Sequence, residues 1–346
     1  MTAMHAKPRT FRSPPSRARG VGLVEIMVAS AIAAIVIIGT VQVYSDSRKT
    51  YTVHEAESQL EENARYAFSV MEPDIRMASY WGLMKGSVGI VGAAAQTSAA
   101  ATALAGTSAT ACGTNFSVDL ATTLEGNDGG YGLPCAAFDA LPMPSADTLT
   151  VRRASFTPST VAAGTVGPLR ICSTRLAATV VNTAAGCTAA PAGLVSDLIV
   201  HTYYVDQDSA RTAGVPTLFR KTLNATPTFQ DDEILPGVED LQVQFGVDPT
   251  GTSGIATQYI NPLAAGALPV TAQIVSVRIW LLLRADSQEQ GFTDTRTYQY
   301  ADRSLANGTT TSLTAAGAAG KAYQPGDKYR RLLVSRTVMI RNALGT

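Results

Sequence analysis

The residue whose type and position point most clearly to a chemical role is a single carboxylate at the start of an apolar run. Glu25 precedes Ile26–Val43, in which no residue is charged. At about 1.5 Å per helical residue this run covers about 27 Å, close to the thickness of a bilayer's hydrocarbon core. An acidic side chain in such a segment costs about 2.5–3.5 kcal/mol on insertion scales, so it usually has a charged partner. The run therefore predicts a membrane helix whose one acid needs a counter-ion.

Removal of the residues before the apolar run would supply that counter-ion. The only candidate for ordinary signal cleavage, Ala29–Ala31, lies inside the run, where cleavage would split it. A break between Gly20 and Val21 keeps the run intact and creates a positive α-amino group about one helical turn from Glu25. A helix N-terminus also favours a nearby carboxylate. Residues 1–20 are then a basic leader, which the positive-inside rule places in the cytoplasm.

Cysteine chemistry is confined to the part of the chain beyond the apolar run. Cys112, Cys135, Cys172 and Cys187 form two locally spaced pairs, without a Cys-x-x-Cys motif or a nearby His. This pattern indicates disulfides in an exported region and not a zinc site. Short loops close at lower entropy cost, which favours Cys112–Cys135 and Cys172–Cys187. The other two connectivities and free buried thiols stay open as alternatives.

No residue set predicts catalysis, a cofactor or a bound metal. The chain lacks a G-x-S-x-G motif, and His201 lies in a strand pattern that is typical of a structural histidine. The segment Gly317–Lys321 lacks the first glycine and the final Ser or Thr of a phosphate-binding loop. Asp248 and the acidic residues 231–233 do not have EF-hand spacing, so we expect solvated acidic loops.

The composition points to an exported surface and away from nucleic acid. Lys plus Arg and Asp plus Glu number 27 each in 346 residues, so no basic footprint for nucleic acid is present. Charged residues make up only 16% of the chain, while Ala, Thr, Ser and Gly are abundant. This balance suits an extracytoplasmic protein better than a cytosolic enzyme.

The elements that must position these residues are one long helix and a set of strands. Apolar residues recur three, four or seven apart from Val53 to Ile75, so the helix is predicted to run from about Val21 to Ser79, with a bend near Pro73. Apolar, β-branched and alternating runs predict strands at Leu149–Arg153, Leu198–Val205, Leu218–Lys221, Leu241–Val247, Ile274–Leu283 and Leu332–Ile340. We expect Ile274–Leu283 to be covered on both faces and the last run to return to the sheet centre. The fold class is α+β: a long N-terminal helix followed by an antiparallel β-sheet head.

Four regions follow from these patterns. Residues 1–20 are the leader, and residues 21–82 hold the membrane-spanning and spine helix. Residues 83–196 form an Ala/Thr/Gly-rich variable region with short strands and the predicted disulfides. Residues 197–346 form the β-rich C-terminal part of the head.

Two sets of motifs in this order resemble a known family. The basic leader, Gly20 and Glu25 before an apolar helix resemble the type III leader of type IV pilins and of type II secretion pseudopilins. The blocks Gly237–Asp248, Val277–Arg284 and Thr337–Asn342 are similar to stretches of PilW-type minor pilins. The resemblance skips the Ala/Thr-rich middle of the chain.

The resemblance implies a structural role in a fibre. A prepilin peptidase would cut between Gly20 and Val21, and Val21 would be N-methylated, although the family usually begins its mature chain with Phe. Glu25 would meet the N-terminus of a neighbouring subunit in assembly. The chain would sit in the inner membrane with a periplasmic head, and then at the pilus tip on the cell surface.

Its implied partners are the major pilin, other minor pilins and a PilY-type tip adhesin, in a complex that primes pilus assembly for adhesion and twitching motility. One alternative is a J-type pseudopilin of type II secretion, which shares the leader and the helix. The other is a single-span, envelope-anchored binding module or enzyme.

Overall fold

A computed structural model describes residues 20–98, 111–159, 168–182, 193–224, 228–262, 268 and 271–343. Within them the helix α1 spans Leu23–Arg76, and all regular strands follow it. The strands are β1 Leu124–Glu125, β2 Leu149–Pro158, β3 Arg170–Ser173, β4 Ala178–Val181, β5 Leu194–Asp206, β6 Thr217–Leu223, β7 Phe229–Pro236, β8 Val238–Asp248, β9 Gln258–Ile260, β10 Gln273–Gln288, β11 Ser304–Thr310, β12 Lys321–Tyr323 and β13 Tyr329–Met339. The predicted α+β fold, a long apolar helix followed by antiparallel sheets, is confirmed.

The chain divides between Glu55 and Ala56 into two compact units. In the first unit, α1 exposes its apolar side chains from Leu23 to Val43. Among the described residues, α1 is the one helix that is long and apolar enough to cross a membrane. Apolar residues cover this part of the helix on all sides, as in a helix surrounded by lipid or by other helices.

In the second unit, the remainder of α1 buries one face. The buried apolar residues recur three or four positions apart, so they form a stripe that packs into the main core. They are Leu60, Ala64, Ala67, Phe68, Met71 and Ile75. This buried stripe agrees with the predicted apolar face. The helix continues past Pro73 and ends at Arg76.

The first sheet has seven strands, which are organised around β5. This strand pairs antiparallel with β2 on one side, and with β3 and β6 on the other. The order is β1-β2-β5-β3-β4, with β7 joined through β6. A second cluster of apolar side chains, which includes the fully buried Trp81, packs against residues of this sheet such as Val200.

The second sheet has the order β13-β10-β8-β9 and is antiparallel throughout. The expectation that its strand β10 is covered on both faces holds for only part of the strand. Leu281, Leu282 and Leu283 are buried, whereas Arg278 and Trp280 are partly exposed. The expectation that the last apolar run returns to the sheet centre is wrong. Since β10 already pairs with β8, β13 adds on its open side and becomes an edge strand.

The acidic run at residues 231–233 was expected to form a solvated loop, and this expectation is also wrong. Asp231 and Asp232 lie in β7, opposite basic residues of β6. The Lys221 ammonium lies 2.7 Å from Asp231, and the Arg220 guanidinium lies 3.2 Å from Asp232. These cross-strand ion pairs allow an acid-rich segment to join a sheet.

Candidate assembly segment and its anchorage

The predicted cleavage and assembly residues lie at the start of α1. Gly20, Val21 and Gly22 precede the helix, and Glu25 lies in its first turn. Helical hydrogen bonding begins here, because the N–H of Ile26 donates to the carbonyl of Gly22 at 3.2 Å. The first backbone N–H groups of a helix have no partner within it, and together they favour a carboxylate nearby.

Glu25 itself is exposed and has no hydrogen bond or ion pair within the described part of the chain. Its charge is therefore available to a group from another molecule. Val21 is exposed as well. Cleavage at Gly20, methylation of Val21 and pairing of Glu25 all remain predictions.

The apolar surface that surrounds this acid is large. Fourteen large apolar side chains between Val21 and Tyr44 are each more than half exposed. At about 25 cal/mol for each Å² of apolar surface, leaving such a helix in water is strongly unfavourable. This part of α1 therefore needs lipid or other apolar helices around it, and it forms a candidate assembly surface.

The end of α1 is tied to the first sheet by a buried carboxylate. Asp74 accepts a 2.5 Å hydrogen bond from the hydroxyl of Tyr203 and lies 2.5 Å from Nδ1 of His201. The guanidinium of Arg153 lies 2.6 Å from its other oxygen. Three side chains from β2 and β5 thus converge on one acid of the helix.

This arrangement keeps Asp74 ionised. Burial alone would raise the pKa of Asp74, but the hydrogen bond from His201 and the charges of His201 and Arg153 outweigh that effect and hold the pKa well below its ordinary value. His201, which the sequence placed in a strand as a structural residue, lies in β5 with its ring against this acid. Helix and sheet are therefore joined by charge as well as by apolar packing.

A second set of contacts joins α1 to the other sheet. Glu72 bonds to Arg336 of β13 at 2.7 Å and to Arg76 one turn further along the helix. Arg330 of β13 lies 3.3 Å from Glu57. These contacts follow the exposed side of the apolar stripe and fix α1 along the second sheet.

Buried arginines hold the C-terminal strands together. Arg303 and Asp240 are both fully buried, 2.5 Å apart, and Tyr300 donates to the same carboxylate at 2.5 Å. Arg331 of β13 bonds to Glu239 of β8 and to Asp327 at 2.6 Å each. These networks could not be identified from the sequence, because Arg303 lies 63 residues from Asp240 and Arg331 lies 92 residues from Glu239. The sequence signal that could have indicated them is an acid within an apolar strand, such as Asp240 in β8.

The first predicted disulfide is confirmed. Cys112 and Cys135 are bonded to each other, with their Cα atoms 4.5 Å apart. Cys172, in β3, is also disulfide-bonded. Its predicted partner Cys187 lies outside the described residues, so the second pairing stays a prediction.

Other acidic motifs are engaged within the fold. The carboxylate of Asp248 accepts hydrogen bonds from the backbone and hydroxyl groups of Thr250 and Ser253, and from the N–H of Gly254. Burial would raise the pKa of Asp248, but these hydrogen bonds outweigh it and hold the pKa below its ordinary value. The carboxylate thus closes its own turn. In the part of the chain that the structure describes, no cluster of three or more His, Cys, Asp or Glu could hold a metal ion.

Comparison with known proteins finds one family model that matches part of this chain. The family model for type IV pilus-assembly protein W, PilW, matches residues 202–342, from within β5 to just beyond β13. The resemblance to PilW is therefore confirmed over this region. A type IV-like pilin from Thermus thermophilus is 15% identical, with a TM-score of 0.29, and the match covers 59% of this chain and 82% of that one. No curated protein matches the chain.

Proposed function

We propose that this chain, whose residues 202–342 match PilW, is a minor pilin of a type IV pilus. A prepilin peptidase removes the leader between Gly20 and Val21, and the new α-amino group of Val21 is methylated. Glu25 then pairs with the α-amino group of a neighbouring subunit. The observation that carries this proposal is an apolar helix segment, exposed on all sides, whose first-turn acid has no partner among the described residues, with a PilW-like head behind it.

The physical basis is that the apolar part of α1 has two suitable surroundings. Before assembly it spans the inner membrane, with the head in the periplasm, and lipid covers its side chains. In the fibre, other apolar helices replace the lipid. Glu25 is unfavourable in the first state and finds a counter-ion in the second, so the acid makes insertion beside other helices selective.

The head is large for a subunit that must pack along a narrow shaft. It extends from the end of α1 to the C-terminal strands, and its described residues form sheets of seven, four and two strands. A head of this size is easier to accommodate at a fibre end, which supports a position in a tip complex that primes assembly. Its partners there are other minor pilins, the major pilin and a PilY-type adhesin. The role is structural and not enzymatic.

The proposal is tested by Glu25→Ala in a deletion strain that is complemented with the variant gene. Glu61→Ala is the matched control, since Glu61 is an exposed acid on the same helix. We expect Glu25→Ala to remove the chain from sheared fibres and to lower piliation and twitching, while Glu61→Ala behaves as the wild type. Normal fibres from Glu25→Ala would overturn the proposal. A deletion that leaves pili intact and stops protein secretion would favour the pseudopilin alternative.

A further inference from the structure

The long sheet edges of the head differ in how they are protected. The edge strand β7 carries Asp231, Asp232 and Glu233 and ends in Pro236, which are features that prevent further strand pairing. The edge of β4 is bridged by Val91. By contrast, β13 has one charge and no proline from Leu332 to Met339.

The alternation of β13 shows which of its backbone groups are unpaired. The N–H of Ile340 donates to Val275 of β10 at 3.0 Å, so even-numbered residues of β13 point their polar groups towards β10. The odd-numbered residues Leu333, Ser335, Thr337 and Met339 therefore point theirs away from it. Among the described residues no backbone group bonds to them. At about 3.4 Å per residue, this free edge is about 20 Å long.

Both ends of the free edge are closed by contacts within the chain. The carbonyl of Arg331 accepts a hydrogen bond from Arg296 at 3.1 Å. At the other end, the N–H of Arg341 donates to the carbonyl of Arg76 in α1 at 3.1 Å. The open segment is thus bounded, with room for one short strand.

A cavity of about 370 Å³ adjoins the second end of this edge. It is lined by residues at the end of α1 together with the residue that follows Ile340: Ser69, Glu72, Pro73, Arg76, Met77 and Arg341. Arg336 of β13 points to the same side, since it bonds to Glu72 and lies over the ring of Phe68. We call the free edge, together with the adjoining cavity that begins at Arg76 and Arg341, the β13 groove.

The β13 groove is positively charged. Glu72 is shared between Arg76 and Arg336. Arg341 is exposed and has no carboxylate within 4.0 Å in the described part of the chain. Three guanidinium groups thus face one carboxylate, which leaves the groove complementary to an acidic ligand.

We propose that the β13 groove binds an extended, acidic segment of another protein by strand addition. The added strand would exchange backbone hydrogen bonds with Leu333, Ser335, Thr337 and Met339. Its side chains on the α1 side would bring carboxylates to Arg336 and Arg341. This inference does not depend on Glu25 or on fibre assembly.

The test uses the full chain in detergent micelles and a fluorescein-labelled peptide of alternating Val and Glu. A peptide of alternating Val and Lys has the same strand pattern with the opposite charge. We expect the Val–Glu peptide to bind, as measured by fluorescence anisotropy, and to slow hydrogen exchange at residues 333–339. Failure of the Val–Glu peptide to bind, or equal binding of the Val–Lys peptide, would overturn the proposal.

Two variants separate the edge from the charge. Ser335→Pro removes an outward N–H without removing a bond to β10, and Ser335→Ala is its control because it keeps the N–H. We expect Ser335→Pro to weaken peptide binding about tenfold, and Ser335→Ala to leave it unchanged.

Arg341→Glu should weaken binding about fivefold, because it replaces an attraction by a repulsion. Arg175→Glu, in the exposed turn between β3 and β4 of the first sheet, is the charge control. Unchanged binding in both Ser335→Pro and Arg341→Glu, or a dimer of the chain joined through β13, would contradict strand addition.

Discussion

Replacement of Asp74 by Asn should loosen the junction between α1 and the first sheet. The carboxylate of Asp74 holds Arg153 at 2.6 Å, His201 at 2.5 Å and the hydroxyl of Tyr203 at 2.5 Å. An amide is neutral and cannot balance Arg153. Breaking a buried ion pair by removal of one partner costs about 3–5 kcal/mol. Because Arg153 keeps 14% of its side chain exposed, the loss should lie near the lower end, at about 3 kcal/mol.

The assay is urea denaturation of the full chain in micelles, followed by tryptophan fluorescence. The chain has two tryptophans, of which Trp81 is fully buried and lies five residues after the end of α1. It therefore reports directly on the region that Asp74 anchors. The matched control is Glu61→Gln on the same helix, since its side chain is 65% exposed and its partner Arg65 lies 3.9 Å away. We expect the control to change the free energy of unfolding by less than about 0.5 kcal/mol.

Two results would refute this reasoning. If Asp74→Asn lowers the free energy of unfolding by less than about 1 kcal/mol, the cluster does not anchor the helix. If Glu61→Gln destabilises the chain to the same extent, the effect belongs to the charge of the helix and not to the buried contacts.

Three further predictions concern the same head. The pKa of Asp74 in the folded chain lies below its ordinary value of 3.8. Its contribution to stability is therefore full at neutral pH and is lost as the pH falls below about 4. Asp74→Asn should consequently flatten the acid side of a plot of urea midpoint against pH. Arg303→Met leaves the fully buried Asp240 without its cation and should lower the free energy of unfolding by about 3–5 kcal/mol, while adding Asp240→Leu should recover part of that loss in the same urea assay. Replacing Cys112 and Cys135 by Ser opens a loop between residues 23 positions apart and should lower the free energy of unfolding by about 3 kcal/mol, whereas an unchanged urea midpoint would contradict that estimate.

The helix and six of the thirteen strands in the described residues could be predicted because their signals are local. The spacing from Leu60 to Ile75 matches one face of a helix, and the alternation from Leu241 to Val247 correctly predicts a strand. The expectation that this strand is half-buried is wrong, because the intervening Gln242 and Gly246 are buried as well. The exposed apolar helix with Glu25 in its first turn follows from the same kind of reasoning. Such patterns depend only on residues within a few turns or a few positions of each other.

The contacts that fix the head could not be predicted because they join distant residues. Asp74 and His201 are 127 residues apart, and nothing in either local pattern indicates the other. The place of β13 was missed for a related reason, since an apolar strand has the same pattern at the centre of a sheet and at its edge. The acidic run at Asp231 was misread because its neutralising partners, Lys221 and Arg220, lie in a different strand.

The leader must be removed before the apolar helix enters a fibre. Mass spectrometry of the N-terminal peptide, from chains recovered in sheared surface fibres, measures this directly. We predict a mature chain that begins at Val21 and carries one added methyl group on its α-amino nitrogen. Fibre-borne chains that retain residues 1–20, or that begin at another residue, would contradict the account.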